Sequence, residues 1–327
     1  MTRNPRFTSD RRTPRETTWT TGEDWLAGES SDITIDTDKI VGTSGDIPVS
    51  TGGNISEITV GGERYRLHAF LTSGDFTISE EYPVDVLVVA GGGSGGVGGD
   101  GSWEPGGGGA GGVVYIPSYL VSGTIPVIIG DGGAAVSGSY NARPGNKGED
   151  SVFDNITAIG GGRGGAGSHD GGSGGSGGGG SHIRRGGSAT QDQGHRGGDG
   201  SVSNRSASTS TNDAGGGGGA KEPGNTDSFA SGGDGQYYGD IFGQTYGEGG
   251  YFGGGGVGGW RSPELSPTRG IGGGGHANGG VVNGGNAGPG QPNTGGGGGG
   301  ATSDSDNASS ASGEGGSGIV LVRIGPL

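Results

Sequence analysis

The chain has 327 residues, of which 92 are glycine and 14 are proline, and its formal net charge is −15. Only 26% of the residues are apolar, against about 45–50% in typical globular domains, a tally that includes glycine, so any apolar core is small. Collagen is excluded because glycine does not recur at every third position. The negative charge argues against nucleic-acid partners, whose affinity depends on lysine and arginine. The absence of cysteine excludes disulfides and thiolate metal sites.

The N-terminal 31 residues are polar, with five arginines before Glu16 and no apolar segment of the kind that a secretory signal contains. No apolar stretch approaches the roughly 20 residues of a membrane span, so we expect no membrane insertion. The basic residues comprise 16 arginines but only three lysines. This bias and the many carboxylates indicate either a protein from a salt-loving organism or simply an acidic surface.

Short segments with alternating polarity predict the first strands, at residues 32–36, 55–60, 64–71 and 75–79. The last two flank Ser73-Gly74, and we predict that they pair as a hairpin. Further β-branched segments predict strands at 84–90, 113–116, 125–129, 152–159 and 319–324. This spacing predicts an all-β fold with an antiparallel β-sandwich and no α-helix of note. The distant last strand implies that residues 160–317 are an insertion returning to the same sheet.

Glycine is concentrated after the strand at 84–90: nine glycines precede residue 91, and 83 lie in residues 91–327. Uninterrupted runs such as 295–300 fit neither an α-helix nor an ordinary strand. They fit polyglycine II helices, which have three residues per turn and, lacking Cβ atoms, pack closely and hydrogen-bond sideways. Ordering a residue costs about 1–2 kcal/mol and a hydrogen bond returns about 0.5–1.5, so only a cooperative bundle is stable. A flexible glycine–serine linker is the alternative.

These observations divide the chain into three parts. Residues 1–50 form an N-terminal arm with short strands. Residues 51–167 and 313–327 form the β-sandwich. Residues 168–312 form the inserted polyglycine II bundle, in which polar and aromatic loops separate the glycine runs.

No motif in the sequence, taken with its flanking residues, indicates catalysis or cofactor binding. The segment 84–99 places Gly91, Gly93 and Gly96 after a strand, as in dinucleotide-binding proteins, but the glycines that follow exclude the helix that would hold the pyrophosphate. The five histidines show no metal-ligand spacing, and no pair of carboxylates indicates acid–base catalysis. We therefore predict a non-enzymatic protein without cofactor or metal.

Aromatic residues are concentrated in the segment 229–260, where rings on loops provide contact area with few torsions to freeze. These candidates for contact with a binding partner are Phe229, Tyr237, Tyr238, Phe242, Tyr246, Tyr251, Phe252 and Trp260. The alternative is that they cover the flank of the glycine bundle. Further candidate contact loops lie at 181–185, 221–229 and 261–269.

Several segments together resemble the glycine-rich domain of phage tail fibres and adhesins. They are RYRLHAFLTSGDFTI, VDVLVVAGGGSGG, TIPVIIGDGG, GEDSVFDNITAIGGGRGG and the closing GGSGIVLVRI. A similar glycine-rich region occurs in the extracellular part of anaplastic lymphoma kinase, and the lack of cysteine favours the viral relatives. The resemblance implies a sandwich related to tumour-necrosis-factor domains that carries a polyglycine II bundle.

The resemblance also implies a function: a tail protein of the virion that binds a host surface glycoprotein or polysaccharide through variable loops, without catalysis. Its partners would be other tail or baseplate proteins, and fibres of this kind lead us to expect a homotrimer. A structural head or tail decoration protein is the main alternative, and a polysaccharide-degrading spike is a weaker one. The N-terminal arm would dock to the particle through Arg3, Arg6, Arg11, Arg12, Arg15, Trp19 and Trp25.

Overall fold

The computed structural model divides the chain into two units, Met1–Ile47 and Pro48–Leu327. In the first unit it describes two strands, β1 (Thr17–Trp19) and β2 (Ile33–Ile35), which pair antiparallel with Trp19 opposite Ile33. Beyond these strands the described residues are 47–99, 104–138, 141–201, 213–260, 266–278, 285–303 and 310–327.

The second unit contains the remaining elements, most of them short strands. In chain order they are β3 (Ser50–Thr51), β4 (Asn54–Val60), β5 (Glu63–Phe70), β6 (Gly74–Val89), β7 (Val113–Ile128), β8 (Ser137–Gly138), β9 (Ser151–Phe153), β10 (Ile156–Ala158), β11 (Gln236–Tyr237), α1 (Gly239–Phe242), β12 (Tyr251–Phe252), β13 (Ser310–Ala311) and β14 (Ile319–Ile324). No helix in the described part of the chain is long and apolar enough to cross a lipid bilayer.

Eight of the described strands form one antiparallel sheet in the order β10-β9-β7-β6-β14-β5-β4, with β3 also paired to β6. Strands β6 and β7 are 16 residues long, and their register shifts between Ile78 and Tyr82 and between Val84 and Val86. The first half of β6 pairs with β3, whereas the second half pairs with β14. The sheet therefore has two halves that share two long strands.

The two halves pack face to face. The buried ring of Phe76, in the first half of β6, meets the imidazole of His68, in β5, edge-on with ring centres 5.2 Å apart. His68 also hydrogen-bonds through Nε2 to Ser50 Oγ of β3 at 2.9 Å. Contacts between strands of opposite halves confirm the predicted antiparallel β-sandwich.

Strand β14 lies in the centre of the sheet, between β5 and β6. Leu321 is paired with Ala69 on one side and with Leu87 on the other. The structure thus confirms that the chain returns after its long insertion to the sheet that it left. It also shows that the predicted hairpin of 64–71 and 75–79 is wrong, because β5 pairs with β4 and β14, and β6 lies one strand further away.

The other face of this half of the sheet is also covered. Leu67, Leu87 and Leu321 form a buried cluster with Phe242 and Phe252, which come from the segment 236–252 of the insertion. Side chains alternate between the faces of a strand, so the intervening residues, such as His68, point into the sandwich. The apolar core therefore occupies both sides of one half-sheet, which accounts for its stability despite the low apolar content.

The glycine runs form polyglycine II helices, as the run 105–112 demonstrates. Its N–H groups three residues apart donate to the same neighbour: Gly106 to Gly165 O and Gly109 to Gly162 O, both at 2.8 Å. The intervening N–H groups donate to two other runs, so that the three acceptor runs are 159–165, 213–219 and 294–300. Its carbonyls accept from three more described runs, 90–98, 174–181 and 253–259. Six neighbours and a period of three are the geometry of a hexagonally packed polyglycine II bundle.

Close packing explains why these positions are glycine. A Cβ on Gly106 would lie 1.9 Å from Gly179 O, and one on Gly108 would lie 2.0 Å from Gly93 O. The obstructing atoms belong to backbone and cannot rotate away as a side chain can. At such positions of the bundle glycine is therefore required for steric reasons.

The bundle is wider than the insertion 168–312. Runs 90–98, 105–112 and 159–165, within the range assigned to the sandwich, are integral helices of it. The run 313–316 joins it as well, through Gly95 N bonded to Gly313 O at 3.1 Å. Sheet strands β6, β7 and β14 thus continue directly into the bundle at their ends.

Candidate functional site

The polyglycine bundle has two ends, one at the sheet and one away from it. Ala90 and Gly112 adjoin strands β6 and β7 and bond to each other at 3.0 Å, which marks the near end. Six residues further along, Gly96 N bonds to Gly106 O at 3.1 Å. At a polyglycine II rise of about 3.1 Å per residue, these two contacts are about 19 Å apart. The end beyond Gly96 is called the far end below.

The chain passes repeatedly between the two ends, so its loops alternate between them. Hydrogen-bond register places the described segments 166–170, 181–185 and 224–230 at the far end. The segment 236–252 lies at the near end, on the sheet. Of the predicted contact loops, 181–185 and most of 221–229 are thus at the far end, and residues 261–265 of the third lie outside the described residues.

The aromatic candidates separate into two groups. Six lie near the sheet: Phe242 and Phe252 are fully buried, and Tyr238 and Tyr246 pack against them. The other two near the sheet are Tyr237 and Tyr251, whose ring centres are 4.8 Å apart. Phe242 and Phe252 have no accessible surface for a partner. Their placement corresponds to the alternative interpretation, in which these rings cover a flank.

Phe229 and Trp260 are the aromatic candidates at the far end. Trp260 is half-buried, whereas Phe229 is 48% exposed. Of the N-terminal docking candidates, Arg3, Arg6, Arg11, Arg12, Arg15 and Trp25 lie outside the described residues, and Trp19 ends strand β1.

Phe229 borders a cleft of about 550 Å³ on the flank of the far end. The cleft is lined by two segments, 196–201 and 223–225, and by Phe229 itself. Glycines of the bundle form much of the lining, and the charged side chains are those of Arg196 and Asp199. The cleft therefore combines a flat backbone surface, an exposed ring and a pair of opposite charges.

Asn225 fixes one wall of the cleft. Its backbone is left-handed, with φ of 66°, and its Oδ1 accepts the N–H groups of Gly216 at 2.9 Å and Ala230 at 3.1 Å. Its Nδ2 donates to the carbonyl of Asp199 at 2.9 Å. Asparagine is one of the few residues that adopt this backbone conformation readily, and here its amide joins the loop to two glycine runs.

Asp199, to which Asn225 is bonded, also lines the cleft and is itself held in place. Its Oδ1 accepts the N–H of Gly186 at 2.9 Å and a hydrogen bond from the guanidinium of Arg196. Both charged side chains are about half exposed, so the pair faces the solvent in the cleft. It presents a guanidinium with several donors beside a carboxylate acceptor.

Sequence analysis did not single out Arg196 or Asp199, and it included Asn225 only as part of the loop 221–229. Arg196 and Asp199 lie three positions apart, Asn225 lies 26 positions beyond Asp199, and only the packing of the glycine runs brings the three together. A second, smaller cleft of about 280 Å³ lies at the near end and is lined by polar groups that include Asp192 and His195. Across the described ranges, no three His, Asp or Glu side chains converge as metal ligands would.

Comparison with family models gives one match, to a glycine-rich domain that covers residues 71–325. The chain belongs to the glycine-rich domain family. The match begins after β5 and ends within one residue of β14, so the family's domain comprises most of the sandwich and the bundle. A search of curated proteins finds no match.

Proposed function

We propose that this glycine-rich domain protein is a non-catalytic adhesin of a tailed virus, located in the virion tail. Its far-end loops bind a glycoprotein or polysaccharide on the surface of the host cell. The polyglycine bundle serves as the scaffold and takes no part in chemistry. The resemblance to tail fibres and adhesins supports the viral context.

The observation that carries this proposal is the connectivity of the bundle. Successive glycine runs lead away from the sheet and back, so segments distant in sequence, such as 181–185 and 224–230, are brought to the same end of the bundle. Backbone hydrogen bonds hold the runs in place without side chains. A rigid scaffold with polar and aromatic loops at one end is the arrangement that binding proteins use, as in antibody loops on a sandwich.

The N-terminal arm supplies the second contact of the proposed adhesin. Residues 1–31 are rich in arginine, and we assign them to docking on tail or baseplate proteins. Several copies on one particle, in trimers, would raise the avidity for a host surface well above the affinity of one copy.

The test compares two variants in competition with virus particles for adsorption to host cells. The far-end variant combines Ile183→Ala and Phe229→Ala, whereas the near-end control is Ile271→Ala. All three side chains are similarly exposed, at 44%, 48% and 45%. We expect the purified wild-type protein and the control to block adsorption and the far-end variant to block it at least about tenfold less well.

Equal competition by both variants, or none by the wild type, would contradict the proposal. The alternative, a structural decoration protein, predicts a different result when the variants are placed in the particle. Particles would then adsorb normally whichever variant they carry, and their resistance to heat would change only where the protein itself is destabilised.

A further inference from the structure

The cleft beside Phe229 has the volume of a small-ligand site and is open to solvent. Its volume of about 550 Å³ lies within the range of about 300–1,000 Å³ typical of clefts that enclose a small ligand. Its lining offers an apolar ring, Phe229, and the paired side chains of Arg196 and Asp199. The ligand that fits is one with an apolar face and several hydroxyl groups at its rim.

The ring is held ready for such a ligand. Asn225 clamps the loop at its centre, Thr226 Oγ1 donates to Pro223 O at 2.7 Å, and Ser228 Oγ lies 2.8 Å from Ser231 Oγ. These bonds stiffen the segment that carries Phe229 on both sides. Because little freedom remains to be lost on binding, an exposed ring on this loop contributes its full contact area to affinity.

The polar side chains of the cleft are also held in place. Asp199 is anchored by Gly186 N and by Arg196, so its carboxylate has a fixed position. Carboxylates accept hydrogen bonds from hydroxyl groups, and a guanidinium has five N–H donors in a planar fork. Adjacent hydroxyl groups, which both donate and accept, match this pair.

Charge selects between neutral and acidic ligands. The charged groups that line the cleft cancel, and the same loop carries Glu222 and Asp227 nearby in a chain with a net charge of −15. Among the residues that line the cleft the one cation is Arg196, which Asp199 already pairs, so the lining offers an anionic ligand no free positive charge. A neutral ligand meets no such penalty.

We infer that this cleft binds a neutral pyranose sugar, with the C–H face of the ring on Phe229 and adjacent hydroxyl groups on Arg196 and Asp199. The inference deepens the proposed function, on which its biological role rests, by naming the class of ligand that the far end takes. The sugar is the terminal unit of a surface glycan in that context.

The experiment measures direct binding of the full-length protein to free sugars by saturation-transfer NMR and calorimetry. The neutral probes are glucose, galactose, mannose and N-acetylglucosamine with their methyl glycosides and disaccharides, and the acidic probes are glucuronic acid and N-acetylneuraminic acid. We expect at least one neutral probe to bind with a dissociation constant of about 1 mM or tighter. Phe229→Ala should weaken it at least about tenfold, and Ile271→Ala, similarly exposed but at the near end, should leave it unchanged.

A second variant tests the role of charge. Asp199→Asn keeps an acceptor for Gly186 N and removes the carboxylate that neutralises Arg196. This substitution should weaken binding of the neutral sugar and strengthen binding of glucuronic acid relative to that of the neutral sugar. Binding of no neutral probe, binding indifferent to Phe229→Ala, or a preference for acidic probes in the wild type would overturn the inference.

The outcome of this experiment can be distinguished from the outcome of the test of the proposed function. Wild-type protein that blocks virus adsorption but binds no neutral sugar would overturn the inference and leave the adhesin proposal intact. Sugar binding that depends on Phe229, in a protein that does not block adsorption, would support the inference and contradict the proposal.

Discussion

Arg269 binds Glu248 through two parallel hydrogen bonds, and the same carboxylate accepts the backbone N–H groups of Gly272 at 2.8 Å and Gly273 at 2.9 Å. The hydrogen bonds from Arg269 have the largest effect on Glu248 and, with those from the two glycines, lower its pKa to about 2. Glu248 thereby fastens the segment 236–252, which covers the sheet, to the bundle.

Replacing Glu248 should change how stability depends on pH. Its pKa in the folded protein, about 2, lies below the ordinary value of 4.5, so its contribution is complete above pH 4.5 and is lost as the pH falls towards 2. Glu248→Gln should lower the free energy of unfolding by about 2 kcal/mol at pH 7 and by much less at pH 2.5. Urea titrations at both pH values measure the difference.

The control for this prediction is Glu57→Gln. Glu57 pairs with Arg64 on the surface, where both side chains are more than half exposed, and such pairs contribute little. A loss of stability in Glu248→Gln that is the same at pH 2.5 as at pH 7, or no greater than in the control, would show that the carboxylate does not act as described.

Adding a single methyl group inside the bundle should be far more damaging than adding it at the edge of the sheet. The Cβ of Gly108→Ala would lie 2.0 Å from Gly93 O, whereas the Cβ of Gly74→Ala meets no atom within 4 Å. We expect Gly108→Ala to cost more than about 4 kcal/mol or to prevent folding, and Gly74→Ala to be tolerated. Soluble yield and thermal denaturation distinguish the two, and equal behaviour would refute the steric account of the bundle.

The central position of β14 makes its leucine a sensitive probe of the sandwich. Leu321 is fully buried, whereas Leu120, on β7, is 62% exposed. Leu321→Ala should destabilise the protein by about 3–4 kcal/mol through lost apolar contacts and a cavity, and Leu120→Ala by less than about 0.5. Denaturant titration monitored by tyrosine fluorescence tests the pair; similar losses in both would contradict the placement of β14.

Amide exchange tests whether the glycine runs are ordered in solution. The N–H groups of residues 297–300 are buried and donate to three different runs at 2.9–3.0 Å. Peptides that cover this run should exchange at least about 100-fold more slowly than the same peptides in denaturant. Exchange at the denatured rate would mean that the run is a flexible linker.

Sequence patterns predicted the strands, the returning last strand and the polyglycine helices, because each depends on local composition. They did not predict which strands pair. The polarity of 64–71 and 75–79 is compatible with a hairpin, but β14, some 240 positions later, inserts between them. Pairing across such a distance leaves no trace in either segment.

The aromatic segment shows the same limit. Tyr238, Ile241 and Phe242 have the i, i+3, i+4 spacing of an apolar helical face, and the structure uses that face to cover Leu321 and its neighbours. This spacing indicates burial, but the segment that carries it is short and flanked by glycine. The sequence did not indicate a role for the Arg196–Asp199 pair, since that role depends on the loop that the bundle places beside it.

The run 105–112 is held in the bundle by its backbone rather than by its side chains. Its six neighbours recognise it through N–H and C=O groups that every residue possesses, at intervals of three. In a typical apolar core each side chain packs against the shapes of its neighbours, so the substitution of one side chain requires further substitutions around it. Inside the bundle the contacts are made mainly by backbone, so a change in a far-end loop leaves most of them in place unless it removes an anchoring side chain such as Asn225, which accepts from Gly216 N. The fold therefore depends little on the identity of most far-end side chains, and those positions can be substituted while the bundle stays the same.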